Sequence, residues 1–172
     1  APTLALVEDQ TVAEGGLLSL VDLGLVTDPG FDDSVRGTRE TFDYTIDWGD
    51  GTSADDGQVT IDATGSPGVL TGGSFDGAHR FADNGAYTVT VSVADDDGGT
   101  ATDTFLVTVI NVDPTLTVVG DQTVAEGGLL SLIDLGVVTD PGFDNTMLGT
   151  QEIFDYTIDW GDGTSIDDGQ VT

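Results

Sequence analysis

The chain has 172 residues, enough for one domain or one and a half, and its 38% hydrophobic content is adequate for a real core, which excludes a disordered chain. Charge is the unusual quantity: 32 acidic residues stand against three arginines and no lysine, a formal net charge of -29. Such a surface repels nucleic-acid phosphates and anionic membranes, so neither is expected as a partner, and it calls for salt or divalent cations to offset its self-repulsion. No cysteine is present, which excludes disulfides and thiolate–metal chemistry, and the lack of lysine excludes lysine–asparagine staples and lysine-based pilus polymerisation.

In chain order, residues 3–7 read as a first short strand, and Ala13, Glu14, Gly15 and Gly16 as a turn. Residues 17–26 form a long apolar strand whose imperfect alternation suggests a bulge. The loop DPGFDDSVRGTRE follows. In FDYTIDWGDGT, Phe42, Tyr44, Ile46 and Trp48 alternate with polar residues, then Gly49, Asp50, Gly51 and Thr52 supply turn chemistry and Val59 and Ile61 resume alternation. A central β-hairpin is predicted there. Residues 62–80 are rich in glycine, and two short strands are read around Val69–Leu70 and Gly73–Phe75. Tyr87, Val89, Val91 and Val93, then DDDGG, then Phe105, Val107 and Val109 predict a second hairpin. No stretch has helical periodicity, so the class is all-β.

Shifting the chain by 112 residues aligns 1–60 with 113–172 at 47 of 60 positions without a gap. The least conservative differences fall in one loop, where Ser34, Val35 and Arg36 face Thr146, Met147 and Leu148. Repeats this similar belong to arrays. The division expected is a complete repeat over 1–112 and the first half of a second over 113–172. That second copy lacks anything matching 61–112, so the sequence reads as an excerpt of a longer array or as a half-domain completed by strands from a neighbouring chain. There is no apolar run of the ~18 residues that a membrane helix needs, and no signal-peptide pattern.

DNGAY, Asp83 to Tyr87, has the D-x-G-x-Y spacing of a tyrosine corner, and Trp48 fits the core tryptophan of an Ig-like sandwich. With WGDGT (48–52), AHRFADNGAYTVTVSVADDDGG (78–99) and VTVINVDP (107–114), residues 42–114 resemble a PKD-type Ig-like repeat, while QTVAEGG and NVDP resemble bacterial cadherin-like repeats. The resemblance implies an Ig-like β-sandwich stacked end to end, an extracellular or cell-surface spacer or adhesion module of bacterial or archaeal type, acidic residues binding calcium at domain junctions, and no enzymatic activity.

In such a sandwich the loops cluster at two poles. Glu14, Asp50 and Asp83 fall at the outlet pole, where the chain leaves; Asp28, Asp32, Asp33, Asp95, Asp96 and Asp97 fall at the inlet pole. Calcium takes six to eight oxygens at about 2.3–2.6 Å. Two sets are candidates for Ca2+: a junction set of Glu14, Asn111, Asp113, Asp140 and Asp144, and an intradomain set of Asp28 and Asp32 with Asp95, Asp96 or Asp97. Ala1 stands where the second copy has Asp113, which leaves the intradomain set incomplete in the first copy. The plainer alternative is that these acids are a solvated face and turn formers.

His79 is the single histidine, with no second to join it, and a packed or hydrogen-bonded role outweighs a catalytic one. Alternation turns Asp47 outward and puts Asp50 in a tight turn, which argues against a glycosidase pair. No catalytic or cofactor motif is present. Two functions remain: a structural segment of a fibre, stalk or adhesin whose partners are neighbouring repeats or identical chains, or a carbohydrate- or protein-binding accessory module of a secreted enzyme. Exposed aromatics separate them, and Phe31, Phe143 and Phe75 are the loop candidates for a glycan surface among 12 aromatic residues.

Overall fold

The computed structural model describes residues 1–147 and 149–172; Leu148, one of the loop positions that differ between the copies, lies outside the described residues. The chain divides into two compact units, Ala1–Asn111 and Val112–Thr172. Both are built of β-strands, as the alternating patterns predict.

Unit 1 holds β1 (Thr3–Leu6), β2 (Gln10–Ala13), β3 (Leu17–Asp28), β4 (Phe42–Asp47), β5 (Asp55–Gln58), β6 (Thr60–Ala63), β7 (Thr71–Arg80), β8 (Gly85–Asp95) and β9 (Thr100–Ile110). They form one sheet of order β1-β3-β7-β6 and another of order β2-β9-β8-β4-β5. The two sheets cover a single hydrophobic core, the arrangement of a β-sandwich. Leu23, Val26 and Phe75 enter it from the first sheet, and Phe42, Ile46, Val89, Val91, Val93, Val107 and Val109 from the second. Period-2 alternation is what puts each of these rows on one face, and burying each such side chain contributes about 1.5–3 kcal/mol. The return strand of the central hairpin is β5, not the stretch of Val59 and Ile61 expected from alternation: between β5 and β6 the chain crosses from one sheet to the other, with buried Val59 at the crossing point and Ile61 in β6 beside β7.

Three details differ from or complete the sequence reading. β2 pairs in parallel with β9, where the sequence suggested only the approach to a turn. The bulge expected in β3 is a register shift between Leu20 and Gly24, with Asp22 at φ 51° inside it. Residues 62–80 do not make two short strands around Val69–Leu70 and Gly73–Phe75. Ser66 and Val69 close a tight turn, and β7 is one strand of 10 residues paired with β3 and β6. Its glycines looked like breakers but serve close packing: a Cβ on Gly77 would sit 2.6 Å from the Leu23 side chain, and one on Gly73 2.7 Å from Val59.

Unit 2 holds β10 (Thr115–Val118), β11 (Gly136–Thr139), β12 (Phe154–Ile158) and β13 (Asp167–Val171), in two separate two-stranded sheets. Register is copied from unit 1: Thr115 faces Thr139 as Thr3 faces Thr27. The copies of β2 and of the first half of β3, residues 122–125 and 129–135, lie outside any strand. Of their counterparts, 10–13 pair with β9 and 17–20 with β7, and no residues of 112–172 correspond to those two strands.

Candidate functional site

At the inlet pole of unit 1, β3 ends on Asp28 and β8 ends on Asp95, which brings their carboxylates together. Asp28 is buried; its Oδ1 accepts the Gly30 N–H at 2.6 Å, the turn bond expected of Asp-Pro-Gly. Its Oδ2 is buried without a hydrogen-bond partner. The Ala1 nitrogen lies 3.4 Å from that oxygen and 3.8 Å from Asp95 Oδ2. Asp95 Oδ1 is engaged by the Gly99 N–H of the DDDGG turn.

Glu40 completes the group. Burial first, then the charges of Asp96, Asp28, Asp95 and Asp97, push its pKa up from 4.5 to about 7. Asp32 holds the loop that presents it, accepting the Glu40 N–H at 2.7 Å. A side chain on Gly30 would run into the Glu40 carboxylate, so the Asp28–Gly30 turn and Glu40 share one small space. Thr71 fastens this turn to β7, its hydroxyl donating to the Gly30 carbonyl at 2.6 Å. A hollow of about 370 Å³, lined by Asp32, Glu40, Phe42, Val59 and Thr71 among others, opens beside it.

The intradomain candidates therefore separate by role. Asp28 and Asp95 converge, Asp32 positions Glu40 through its backbone, and Asp96 and Asp97 are exposed on the adjoining turn. Sequence reasoning missed Glu40. A signal was available: Asp33, Arg39 and Thr41 become Asn145, Gln151 and Ile153 in the second copy, while Glu40 returns as Glu152. The local geometry returns with it, as Gly142 N–H donates to Asp140 Oδ1 at 2.8 Å and Glu152 N–H to Asp144 Oδ1 at 2.8 Å. Among the described residues, no three His, Cys, Asp or Glu side chains already stand at the spacing of a metal's ligand shell.

At the other end of β8, roughly 33 Å away at about 3.3 Å per residue, a different cluster forms. Glu14 and Asp50 are buried there. The Tyr87 hydroxyl donates to the Asp83 carbonyl at 2.9 Å. Burial, then the charges of Asp83, Asp50 and Glu14, raise the Tyr87 pKa. His79 Nε2 and Asp50 Oδ2 are 2.7 Å apart, and the imidazole stacks on Trp48 with ring centroids at 4.9 Å. Burial works to raise the Asp50 pKa, but the Thr52 hydroxyl, His79 and the Thr52 N–H outweigh it and hold the carboxyl below its ordinary range. His79 thus has packed and hydrogen-bonded partners.

Of the junction candidates, Glu14 belongs to this outlet cluster. Asn111, the last residue of unit 1, is exposed; in unit 2 Asp113 and Asp144 are exposed and Asp140 is half-buried. The aromatic candidates change too. Phe75 is not a loop aromatic: it is 5% exposed and stacks on Tyr44 at 4.3 Å, because it lies on the inward phase of β7. Phe31 is half-buried, and Phe143 alone of the three is exposed.

Neither a family model nor a curated protein sequence matches the chain.

Proposed function

We propose that this chain is a structural segment of a long extracellular fibre, stalk or adhesin on a bacterial or archaeal surface, built from Ig-like repeats of PKD or cadherin type stacked end to end and stiffened by calcium. It carries no enzymatic activity, and its partners are neighbouring repeats or identical chains. The observation that carries the reading is Asp28 Oδ2: a carboxylate oxygen buried without a hydrogen bond, beside Glu40 and Asp95. Leaving a charged oxygen in that state costs free energy unless a cation compensates it. Calcium suits the donors, which are all oxygen, and the flexible Asp and Glu chains around it. Asp28, Asp95 and Glu40 would hold the ion, and in the second copy Asp113 adds a carboxylate at the position of Ala1.

The near-identity of the copies supports an array, since each copy preserves the turn that presents the acids. Buried Phe75 weakens the case for a glycan platform.

Thermal melts of the full chain in chelator and in calcium test the reading. A ligand bound only to the folded state adds about 2.7 kcal/mol at one hundred times its Kd. The expected result is a melting temperature several degrees higher in calcium, with the gain lost in Asp28→Asn. An unchanged melting temperature would sink the proposal.

A further inference from the structure

The hollow beside Glu40, about 370 Å³, falls within the ~300–1,000 Å³ of small-ligand sites. All of its lining lies in unit 1, where the loop between β3 and β4 meets the crossing between β5 and β6. Phe42, Val59 and Ile61 supply apolar surface, and Arg39, Glu40, Thr41 and Gln58 supply hydrogen-bonding groups. The walls are held in place without a ligand. Thr71 donates to the Gly30 carbonyl at 2.6 Å and accepts the Gly65 N–H at 3.1 Å, Asp32 accepts the Glu40 N–H, and Gln58 Nε2 donates to Asp43 Oδ1 at 3.1 Å. A site preformed in this way loses little conformational freedom on binding.

The chemistry of the lining narrows the ligand. Among the described residues the Arg39 guanidinium has no ion pair or hydrogen-bond partner, in a chain with 32 acidic residues. The other two arginines are engaged, Arg36 with Asp33 at 3.6 Å and Arg80 with the Gly15 carbonyl at 2.6 Å. Arg39 therefore offers a fork of donors, Glu40 and Gln58 Oε1 offer acceptors, and the Thr41 hydroxyl offers both. Donors and acceptors beside apolar surface match a ring that carries hydroxyls on its edge and C–H groups on its face. An anionic ligand meets the charges of Asp28, Asp95, Asp96 and Asp97 that already bear on Glu40, and an organic cation meets Arg39, so a neutral ligand fits best. Recognition here runs through hydrogen bonds and not through stacking: Phe42, the one aromatic ring of the lining among the described residues, is 1% exposed.

The two copies supply an independent observation. Of the 13 positions in 60 at which they differ, six lie within residues 33–41. Two of the six line the hollow: Arg39 and Thr41 become Gln151 and Ile153, while Phe42, Gln58 and Val59 recur as Phe154, Gln170 and Val171. A constant floor under a changing rim is how one scaffold acquires different specificities.

We propose that this hollow binds one neutral sugar ring of a glycan, and that Arg39 and Thr41 set which sugar it takes. The Arg39 guanidinium donates to neighbouring hydroxyls, Glu40 and Gln58 accept from them, and the C–H face of the ring lies on Val59 and Ile61. Such a site gives the adhesin reading its ligand, and it needs no calcium.

Amide NMR spectra of the full chain in chelator, titrated with the methyl glycosides of glucose, galactose, mannose, fucose and N-acetylglucosamine, test the site. The expected result is that at least one of these sugars shifts the resonances of Thr41, Val59, Ile61 and Gly65 saturably, with a millimolar Kd. The double variant Arg39→Gln, Thr41→Ile, which installs the residues of the second copy, should weaken that binding at least about tenfold through the lost charged donor. The variant Ser34→Thr, Val35→Met, Arg36→Leu, which copies loop differences outside the lining, should leave it unchanged, and the same spectra show that each variant remains folded. No saturable shift with any of the five sugars, shifts confined to other parts of the chain, or equal affinity of the double variant overturns the proposal. So does binding of methyl glucuronide alone, which would assign the hollow to an anionic ligand. With no calcium present, a failed calcium melt leaves these outcomes untouched.

Discussion

Asp50 and Glu40 show how the same side-chain type is put to opposite uses at the two poles. Asp50 is buried but surrounded by donors, two from Thr52 and one from His79, and its carboxyl stays ionised. Removing it leaves those donors facing a buried space, so Asp50→Ala should cost unit 1 about 2–3 kcal/mol; urea unfolding followed by Trp48 fluorescence in a Trp160→Phe background measures it. Glu40 is surrounded by like charges, and its pKa rises from 4.5 to about 7. Between those values the folded chain binds more protons than the unfolded one, so this contribution to stability is complete below the ordinary pKa and is lost as pH rises through about 7. In chelator, the melting temperature should therefore fall from pH 5 to pH 8, and the fall should shrink in Glu40→Gln. Asp28 and Asp95 were legible as candidates because they fall in turn sequences that directly follow predicted strands. Glu40 was not, because its proximity to them is made by a loop whose course no local pattern encodes.

At the level of elements, the repeat supplies a comparison of one sequence in two environments. Gly24 and Gly136 sit at equivalent positions, in β3 and β11. A methyl on Gly24 collides with the buried Phe75 ring, whereas one on Gly136 meets its nearest atom, on Leu116, at 3.2 Å. Gly24→Ala should thus destabilise unit 1 by about 1–3 kcal/mol through overpacking, and Gly136→Ala should be close to neutral; denaturant midpoints of the two variants check this. A cost at Gly136 equal to that at Gly24 would contradict the packing argument. The misread stretch, residues 62–80, belongs to the same lesson. Glycine in sequence signals a turn or a close approach equally well, and only the partner across the gap, Leu23 or Val59, decides which.

For the whole molecule, the contrast between the units is one of burial. Trp48 is 1% exposed and Trp160 is 45% exposed, although the indole N–H of each bonds an aspartate at 2.8 Å, Asp55 and Asp167 respectively. The local motif survives without the core, and the burial does not. Residues 10–13 and 17–20 should exchange their amide hydrogens slowly and residues 122–125 and 129–132 quickly, despite identical sequence, because only the first set is paired with β9 and β7. Hydrogen exchange read by mass spectrometry distinguishes them, and equal protection would contradict the pairing argument.

The sequence by itself determined the all-β class, the outgoing strand of the first hairpin and both strands of the second, the buried phase of β4, β8 and β9, and the repeat, since alternation and turn chemistry act over a few residues and need no partner. It also placed acids at loop ends, because Asp-Pro-Gly and Asp-Gly turns are local. The tertiary structure alone decided the pairing of β2 with β9, the single long β7, the joining of Glu40 to Asp28 and Asp95, and the burial of Phe75. Each of these depends on residues far apart in the chain meeting across a sheet or a pole, and their free energy exists only once that meeting has occurred. The second copy makes the point physically: the residues of β2 recur unchanged at 122–125 and form no strand there, because a strand is a property of the pair.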